Sequence, residues 1–304
     1  MIVAIIKAII TITLLIGIGV GAKRFNLLQK EDAITLNKIV IHLALPALAF
    51  IAIRNSEVSL SLFSIPLIAH LTMFGVVLVV LLISHFLKLS KVTTGSLMLT
   101  AVLGNTAFMG YPVIMGAYGE EQLFKAVFYN EFGTAIFMFT IGSFIASYYG
   151  KGEFSLPAIL RDMLTFPPLI ALFLAFVTRP LPLPAVFLEI LVYLSKLTIP
   201  LVMISVGLSL DLKQIKQGNI PLFTALFLKL LFSPLLAYSL GKVFSLDPIT
   251  WGITILQAAM PVSMVSLSLA IKYELDVDFA SSIIFTSVFV SILTIPLVGF
   301  FLPH

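Results

Sequence analysis

Apolar runs of about 20 residues recur from one end of this chain to the other, separated by short polar connectors, and few folds can hold them. Each run matches the length of a helix crossing a hydrocarbon core of about 30 Å, and none shows the strict alternation of a membrane barrel strand. Composition agrees: 60% of residues are hydrophobic and 11% charged, whereas a soluble domain carries about a quarter charged residues. The chain therefore reads as an all-α integral membrane protein. Ten spans are expected, at 2–22, 34–53, 64–87, 93–117, 121–148, 164–179, 188–210, 220–243, 249–271 and 278–302. Residues Ile2 to Ala22 are too long for a signal-peptide core and lack a basic leader, so they are expected to be the first span.

Two of these spans are expected to be broken, a kinked but continuous helix being the alternative, since glycine and proline are frequent in membrane helices. The fourth contains Gly104-Asn105-Thr106-Ala107-Phe108-Met109-Gly110-Tyr111-Pro112, and the ninth contains Gln257-Ala258-Ala259-Met260-Pro261-Val262-Ser263. Glycine weakens a helix interior by roughly 1 kcal/mol, and proline removes a donor and clashes with the preceding turn. Backbone groups freed inside lipid must be satisfied by protein or by cavity water. Gly104, Gly110, Pro112 and Pro261 are therefore expected to mark helix breaks.

The breaks recur at a nearly fixed interval. Ile65-Pro66-Leu67 and Ile220-Pro221-Leu222 are offset by 155, as are Ser90 and Ser245, and Phe124 and Phe279. At that offset Gly104-Asn105-Thr106 falls on Ala259-Met260-Pro261, and Leu36-Asn37-Lys38 matches Leu194-Ser195-Lys196 at 158. A unit of five spans is odd, so its second copy must enter the membrane from the other side. Residues 1–155 and 156–304 then form two inverted repeats, an arrangement typical of secondary transporters with a midplane site at discontinuous helices.

Orientation follows from basic residues in short loops. Lys23, Arg24, Lys30, Lys88, Lys91, Lys151, Arg161, Lys213, Lys216 and Lys272 fall on one side, against Arg54, Lys125, Arg179 and Lys242 on the other. The first set is expected in the cytoplasm and both termini outside, in a cell membrane. Net charge of +4 is a topology signal here and gives no reason to expect nucleic acid.

The stretch Gly104–Pro112, the run Ile199-Pro200-Leu201-Val202-Met203-Ile204-Ser205-Val206-Gly207-Leu208, the segment Lys229-Leu230-Leu231-Phe232-Ser233-Pro234, and Pro261 with Ala270-Ile271-Lys272-Tyr273 resemble the auxin efflux carrier family. That family includes plant PIN-type carriers and bacterial permeases for small organic acids. The resemblance spans the chain and implies a ten-helix fold with two crossing broken helices, similar to the bile-acid/sodium symporters. It implies a scaffold of spans 1, 2, 6 and 7 and a moving core of spans 3–5 and 8–10. Dimers among similar carriers point to a homodimer.

At the crossing, half-helices that start after the breaks would aim unsatisfied N–H groups and positive dipole ends at the midplane, which favours an anion. Asn105, Thr106, Gly104, Gln257, Met260 and Ser263 are the candidate substrate contacts, with Phe108, Met109 and Tyr111 as an apolar wall. No arginine lies near the breaks, which favours a monocarboxylate over a phosphate, with a dicarboxylate open if Lys229 contributes. Glu131 lies ten residues into the fifth span, about 15 Å deep. An ionisable group there is a functional candidate, and apolar surroundings favour the neutral carboxylic acid. Glu131, Asn130 and Lys229 are thus the ion-coupling candidates; a Glu131–Lys229 salt bridge is the structural alternative. Lys196, Glu189 and Lys7 are expected at the interface.

His42, His70, His85 and His304 share no ligand spacing, and cysteine is absent, so neither a metal site nor a cofactor is expected beyond a coupling H⁺ or Na⁺. No phosphate loop, nucleophile elbow or carboxylate pair points to an enzyme or a self-powered pump. The expectation is a secondary carrier of a small organic anion working by elevator-like alternating access. Sodium coupling, or a non-transporting sensor with membrane lipid around it, stands as the alternative.

Overall fold

In lipid a helix satisfies its own backbone, and the chain is helical almost throughout. The computed structural model describes residues 2–57, 59–210 and 220–303; Lys213, Lys216 and His304 lie outside the described residues. Among the described residues seven helices are long and apolar enough to cross a membrane: α1 Ile2–Arg24, α2 Asp32–Arg54, α3 Leu60–Phe86, α6 Glu120–Tyr149, α9 Ala185–Ser209, α10 Ile220–Val243 and α13 Val277–Gly299. Between α3 and α6 lie α4 Lys91–Val102 and α5 Gly110–Tyr118. Between α10 and α13 lie α11 Pro248–Ala258 and α12 Met264–Lys272.

The expected sixth span differs. Residues 156–178 form α7 Leu156–Leu164 and α8 Pro167–Thr178, bent by 57° and long enough to cross only as a pair. Pro167 and Pro168 start α8 in its first turn, where the missing donor costs nothing, but they forbid continuation of α7 through them.

Contacts sort the loops to two ends. At one, Lys23 Nζ donates to Leu210 O at 2.8 Å, Thr93 Oγ1 to Asp276 Oδ2 at 2.9 Å, and Lys151 pairs with Glu274 at 3.0 Å. At the other, Arg54 donates to the carbonyls of Thr178 and Leu181, both at 2.6 Å, and a polar crevice of about 610 Å³ gathers Asn55, Glu121, Lys125 and Asp247.

One helix pair meets backbone to backbone. Gly19 of α1 lies against Ile204 O and Gly207 of α9, and a Cβ at Gly207 would sit 2.9 Å from the Gly19 Cα. Small residues permit such an approach in membranes, where packing drives association. The second half of α2 packs on α8 and α9, whereas α3, α4, α6, α10 and α13 pack mainly among themselves. Apolar side chains such as Leu14, Phe173, Val186, Phe223 and Leu293 point outward, as a lipid-facing surface requires. Lys7, Glu189 and Lys196 are exposed.

The loops before α4 and α11 match hydrogen bond for hydrogen bond. Lys88 and Ser245 both turn left-handed, at φ 50° and 51°. Leu89 N donates to Ser84 O at 3.1 Å, and Leu246 N to Gly241 O at 3.0 Å. Two residues past each turn a side chain caps the helix: Ser90 accepts from Thr93 N at 3.2 Å, Asp247 from Thr250 N at 3.0 Å. The match runs at an offset of 157, so Ser245 is the mate of Lys88 and the mate of Ser90 is Asp247.

Candidate functional site

The two interruptions lie side by side. Gly104 and Val262 form an antiparallel bridge, with Asn105 N donating to Pro261 O at 2.7 Å and Ser263 N to Leu103 O at 2.9 Å. Two short extended segments thus satisfy backbone groups that their own helices have released, as hydrocarbon demands.

The first interruption closes on itself. Asn105 O accepts from Met109 N at 3.2 Å and Gly110 N at 3.1 Å, and Asn105 Oδ1 accepts from Phe108 N at 3.2 Å. Most of the amide hydrogens expected to be bare ahead of α5 are therefore occupied. Asn105 Nδ2 and the amides of Thr106 and Ala107 have no acceptor among the described residues. The helix restarts at Gly110, so Gly110 and Pro112 belong to the first turn of α5 rather than to the break. Proline is tolerated there because first-turn donors lack helical partners.

The second interruption is shorter. Gln257 and Ala258 still belong to α11, and the break runs over 259–263. Ser263 caps α12, its Oγ accepting from Val265 N at 3.3 Å, while Val262 N donates to Ser287 Oγ of α13 at 3.0 Å. Met260 is fully buried.

Both glycines of the first interruption make room for polar side chains from the second half. A Cβ on Gly104 would lie 2.9 Å from Lys229 Nζ, and one on Gly110 would run into the Gln257 carboxamide. Lys229, 2% exposed, donates to Ala258 O at 2.9 Å, on the carbonyl end of α11, where a cation meets the negative pole of the helix. Gln257 Nε2 reaches Ala126 O at 3.4 Å, and its Oε1 has no donor among the described residues.

A polar chain runs from the first interruption to Glu131. Thr106 Oγ1 donates to Asn130 Oδ1 at 2.6 Å and lies 3.1 Å from Thr134 Oγ1. Asn130 Nδ2 donates to Glu131 Oε1 at 2.7 Å, and Tyr111 OH approaches the same oxygen at 3.3 Å. Glu131 is 1% exposed, and its Oε2 has no partner among the described residues. Residues Tyr129–Ala135 form a widened π turn, a distortion frequent at functional sites. Leu228–Phe232, around Lys229, form another.

The Glu131–Lys229 salt bridge is absent: the ion pairs among the described residues are Lys125–Asp247 at 3.9 Å and Lys151–Glu274. Tyr111, read above as apolar wall, instead turns its hydroxyl to Glu131. Thr134 was missed, although Asn130 and Thr134 four residues apart put two polar groups on one face of an apolar span. Among the described residues no group of three metal-ligating side chains occurs.

Long apolar helices, two interrupted and paired at a buried polar cluster, define a multi-pass membrane transport protein. The chain belongs to the membrane transport protein family, that of the auxin efflux carriers, whose profile matches residues 4–157 and 153–298. It is 34% identical over 303 residues to an uncharacterized transporter of Methanocaldococcus jannaschii, covering 97% of each chain. A second uncharacterized transporter, from Methanothermobacter thermautotrophicus, is 34% identical over 294 residues, 96% of each. The "Putative malonate transporter" of Rhizobium meliloti is 25% identical over 277 residues, 86% of this chain and 84% of its own. The family and these relatives are transporters, not enzymes.

Proposed function

We propose that the protein is a secondary carrier of a small organic anion, a carboxylate in the first instance, which binds where the two interruptions pair. The observation carrying this reading is the antiparallel contact of Leu103–Asn105 with Pro261–Ser263. Beside it lie unclaimed donors on Asn105, Thr106 and Ala107, and backbone and amide donors are the groups that hold a carboxylate at a helix terminus. The malonate named for the Rhizobium relative supports the same substrate chemistry.

The reading takes the chain as ten crossings in two inverted halves, with α4–α5 and α11–α12 as the broken fourth and ninth spans. Two sets of loops at two ends and the matched turns at Lys88 and Ser245 support it. Basic loop residues then put both termini outside a cell membrane. Spans 1, 2, 6 and 7 form the scaffold, in which Gly19 and Gly207 lock α1 to α9, and the remaining spans move against it as an elevator. Glu131 carries the coupling proton, and the Thr106–Asn130–Glu131 chain links its protonation to the substrate contact.

A second reading, sodium coupling, draws on one observation: two buried oxygens, Glu131 Oε2 and Gln257 Oε1, lack donors among the described residues. Flux of labelled organic acids into proteoliposomes, at two pH values and with or without sodium, separates the two. Asn105→Ala is expected to cut flux at least tenfold. Glu131→Gln is expected to abolish its pH dependence. Sodium-driven flux indifferent to pH would replace the proton with sodium, and binding without flux would make the protein a sensor.

A further inference from the structure

We infer that one anionic phospholipid docks on the lipid-facing surface of α10 and α13, with an acyl chain in the groove between them and its phosphate on Lys242. The inference stands apart from the carrier reading above.

The groove encloses about 230 Å³ and is lined by Leu231, Leu235 and Tyr238 of α10, Ile255 of α11, and Leu297 and Phe301 at the end of α13. Leu235 is 60% exposed and Phe301 70%. The hollow therefore opens away from the protein, onto the hydrocarbon that surrounds long apolar helices. In that solvent the filler of an apolar groove is an acyl chain.

The end of α10 sets the place of the headgroup. Leu235, Tyr238 and Lys242 lie three and four residues apart in Ser233–Val243, so they share one helix face. Lys242 thus extends the groove's stripe by one turn. From Leu231 to Lys242 is eleven residues, about 16 Å of helix, close to half of a hydrocarbon core of about 30 Å. The stripe is as long as one leaflet is deep. Tyr238 and Trp251 mark its outer limit: their rings are 4.8 Å apart, and Trp251 Nε1 donates to Tyr238 O at 2.9 Å. Tryptophan and tyrosine gather where a membrane meets water, which puts Lys242 at headgroup level. Lys242 is exposed, and the ion pairs among the described residues, Lys125–Asp247 and Lys151–Glu274, leave it without a carboxylate. A basic side chain at that level attracts anionic lipid.

A second copy of the chain fits this surface poorly. Two-fold pairing sets the same patch against itself. That would leave two hollows facing each other and bring two Lys242 ammoniums to the same depth.

The test titrates the full chain, purified in a neutral detergent, with phosphatidylglycerol and with phosphatidylcholine. Native mass spectrometry counts the bound lipid, and melting is followed alongside. Wild type is expected to retain one phosphatidylglycerol, to bind it about fivefold more tightly than phosphatidylcholine, the usual effect of one basic residue at the surface, and to melt higher with it. Lys242→Gln is expected to remove that preference and leave phosphatidylcholine binding unchanged. Leu235→Trp fills the groove from an exposed position and is expected to lose both lipids. Should it fail to fold, Leu297→Trp fills the groove from α13. Equal binding of the two lipids by wild type would overturn the inference. So would phosphatidylglycerol held undiminished by Lys242→Gln or by the tryptophan variant. The same loss of preference in Lys30→Gln, an exposed lysine between α1 and α2, would reduce the effect to general surface charge and overturn it too. A dimer that dissociates on Leu235→Trp would put a second copy on this face in place of the lipid.

Discussion

The first interruption and the second are built on one plan and stocked with different chemistry. Each follows a helix capped two residues past a left-handed turn, each is pinned by a polar side chain from a later span, and each pairs with the other. Asn130 of α6 bonds Thr106 of the first, and Ser287 of α13 bonds the Val262 amide of the second. There the likeness ends. The first half contributes two glycines, an asparagine that caps its own loop, and the Glu131 carboxyl. The second half contributes Lys229 and Gln257, which fill the spaces over those glycines. The likeness stops at the backbone of the crossing, and the buried ionisable groups lie where the two interruptions differ.

The largest effect is expected where one half fits into the other. Gly110→Ala drives a methyl group into the fully buried Gln257, and overpacking of this kind costs typically about 1–3 kcal/mol. Both stability and flux should fall. Adding Gln257→Ala should return at least part of the stability, because the two sites are in contact and their effects are not additive. A melting temperature unchanged by Gly110→Ala alone would break the interlock.

A smaller pair separates structure from coupling. Thr106→Val leaves Asn130 Oδ1 without its 2.6 Å donor, and Ser287→Ala leaves the Val262 amide without an acceptor. Each should cost roughly 1–2 kcal/mol, the lower part of the range for an orphaned buried group. Only Thr106→Val should also alter the pH dependence of flux, since Asn130 passes its other bond to Glu131. Equal effects of both variants on pH dependence would show that the Thr106–Asn130 link has no special part in coupling.

Much of this architecture was open to reading because hydrocarbon restricts it so strongly. Length and apolarity locate the long helices, and glycine and proline inside a span announce an interruption whose backbone needs partners. The interval of 155 between Ile65-Pro66 and Ile220-Pro221 pointed to a pair of like loops, and the hydrogen-bonded turns at Lys88 and Ser245 match at an offset two residues larger. What stayed hidden depends on contacts between distant residues. Nothing local says that Gly110 faces Gln257, that Gly104 faces Lys229, or that the Tyr111 ring ends on Glu131. Asn105 was legible as a polar group at the break, but its part in folding the loop was not, since that needs Phe108, Met109 and Gly110 turned back upon it. The bend between α7 and α8 was written in Pro167-Pro168 and masked by the apolar run around it.

The caps provide the finest test of the comparison. Ser90 and Asp247 occupy equivalent positions ahead of α4 and α11, and losing either to alanine should cost about 1 kcal/mol at neutral pH. Their responses to acid should part. Partial burial acts to raise the pKa of Asp247, but the hydrogen bonds from Thr250 and the nearby Lys125 outweigh it and hold the carboxyl below its ordinary value. A group whose folded pKa is depressed stabilises the protein above its unfolded pKa and loses that contribution as pH falls through the folded one. The penalty for Asp247→Ala should therefore shrink below about pH 3.9, the ordinary value for an aspartate, while the penalty for Ser90→Ala stays level. Melting curves of both variants against wild type from pH 7 downward measure this. If the two penalties ran parallel throughout, the Asp247 carboxylate charge would have no part in capping α11, and the two loops would be alike in energy as well as in shape.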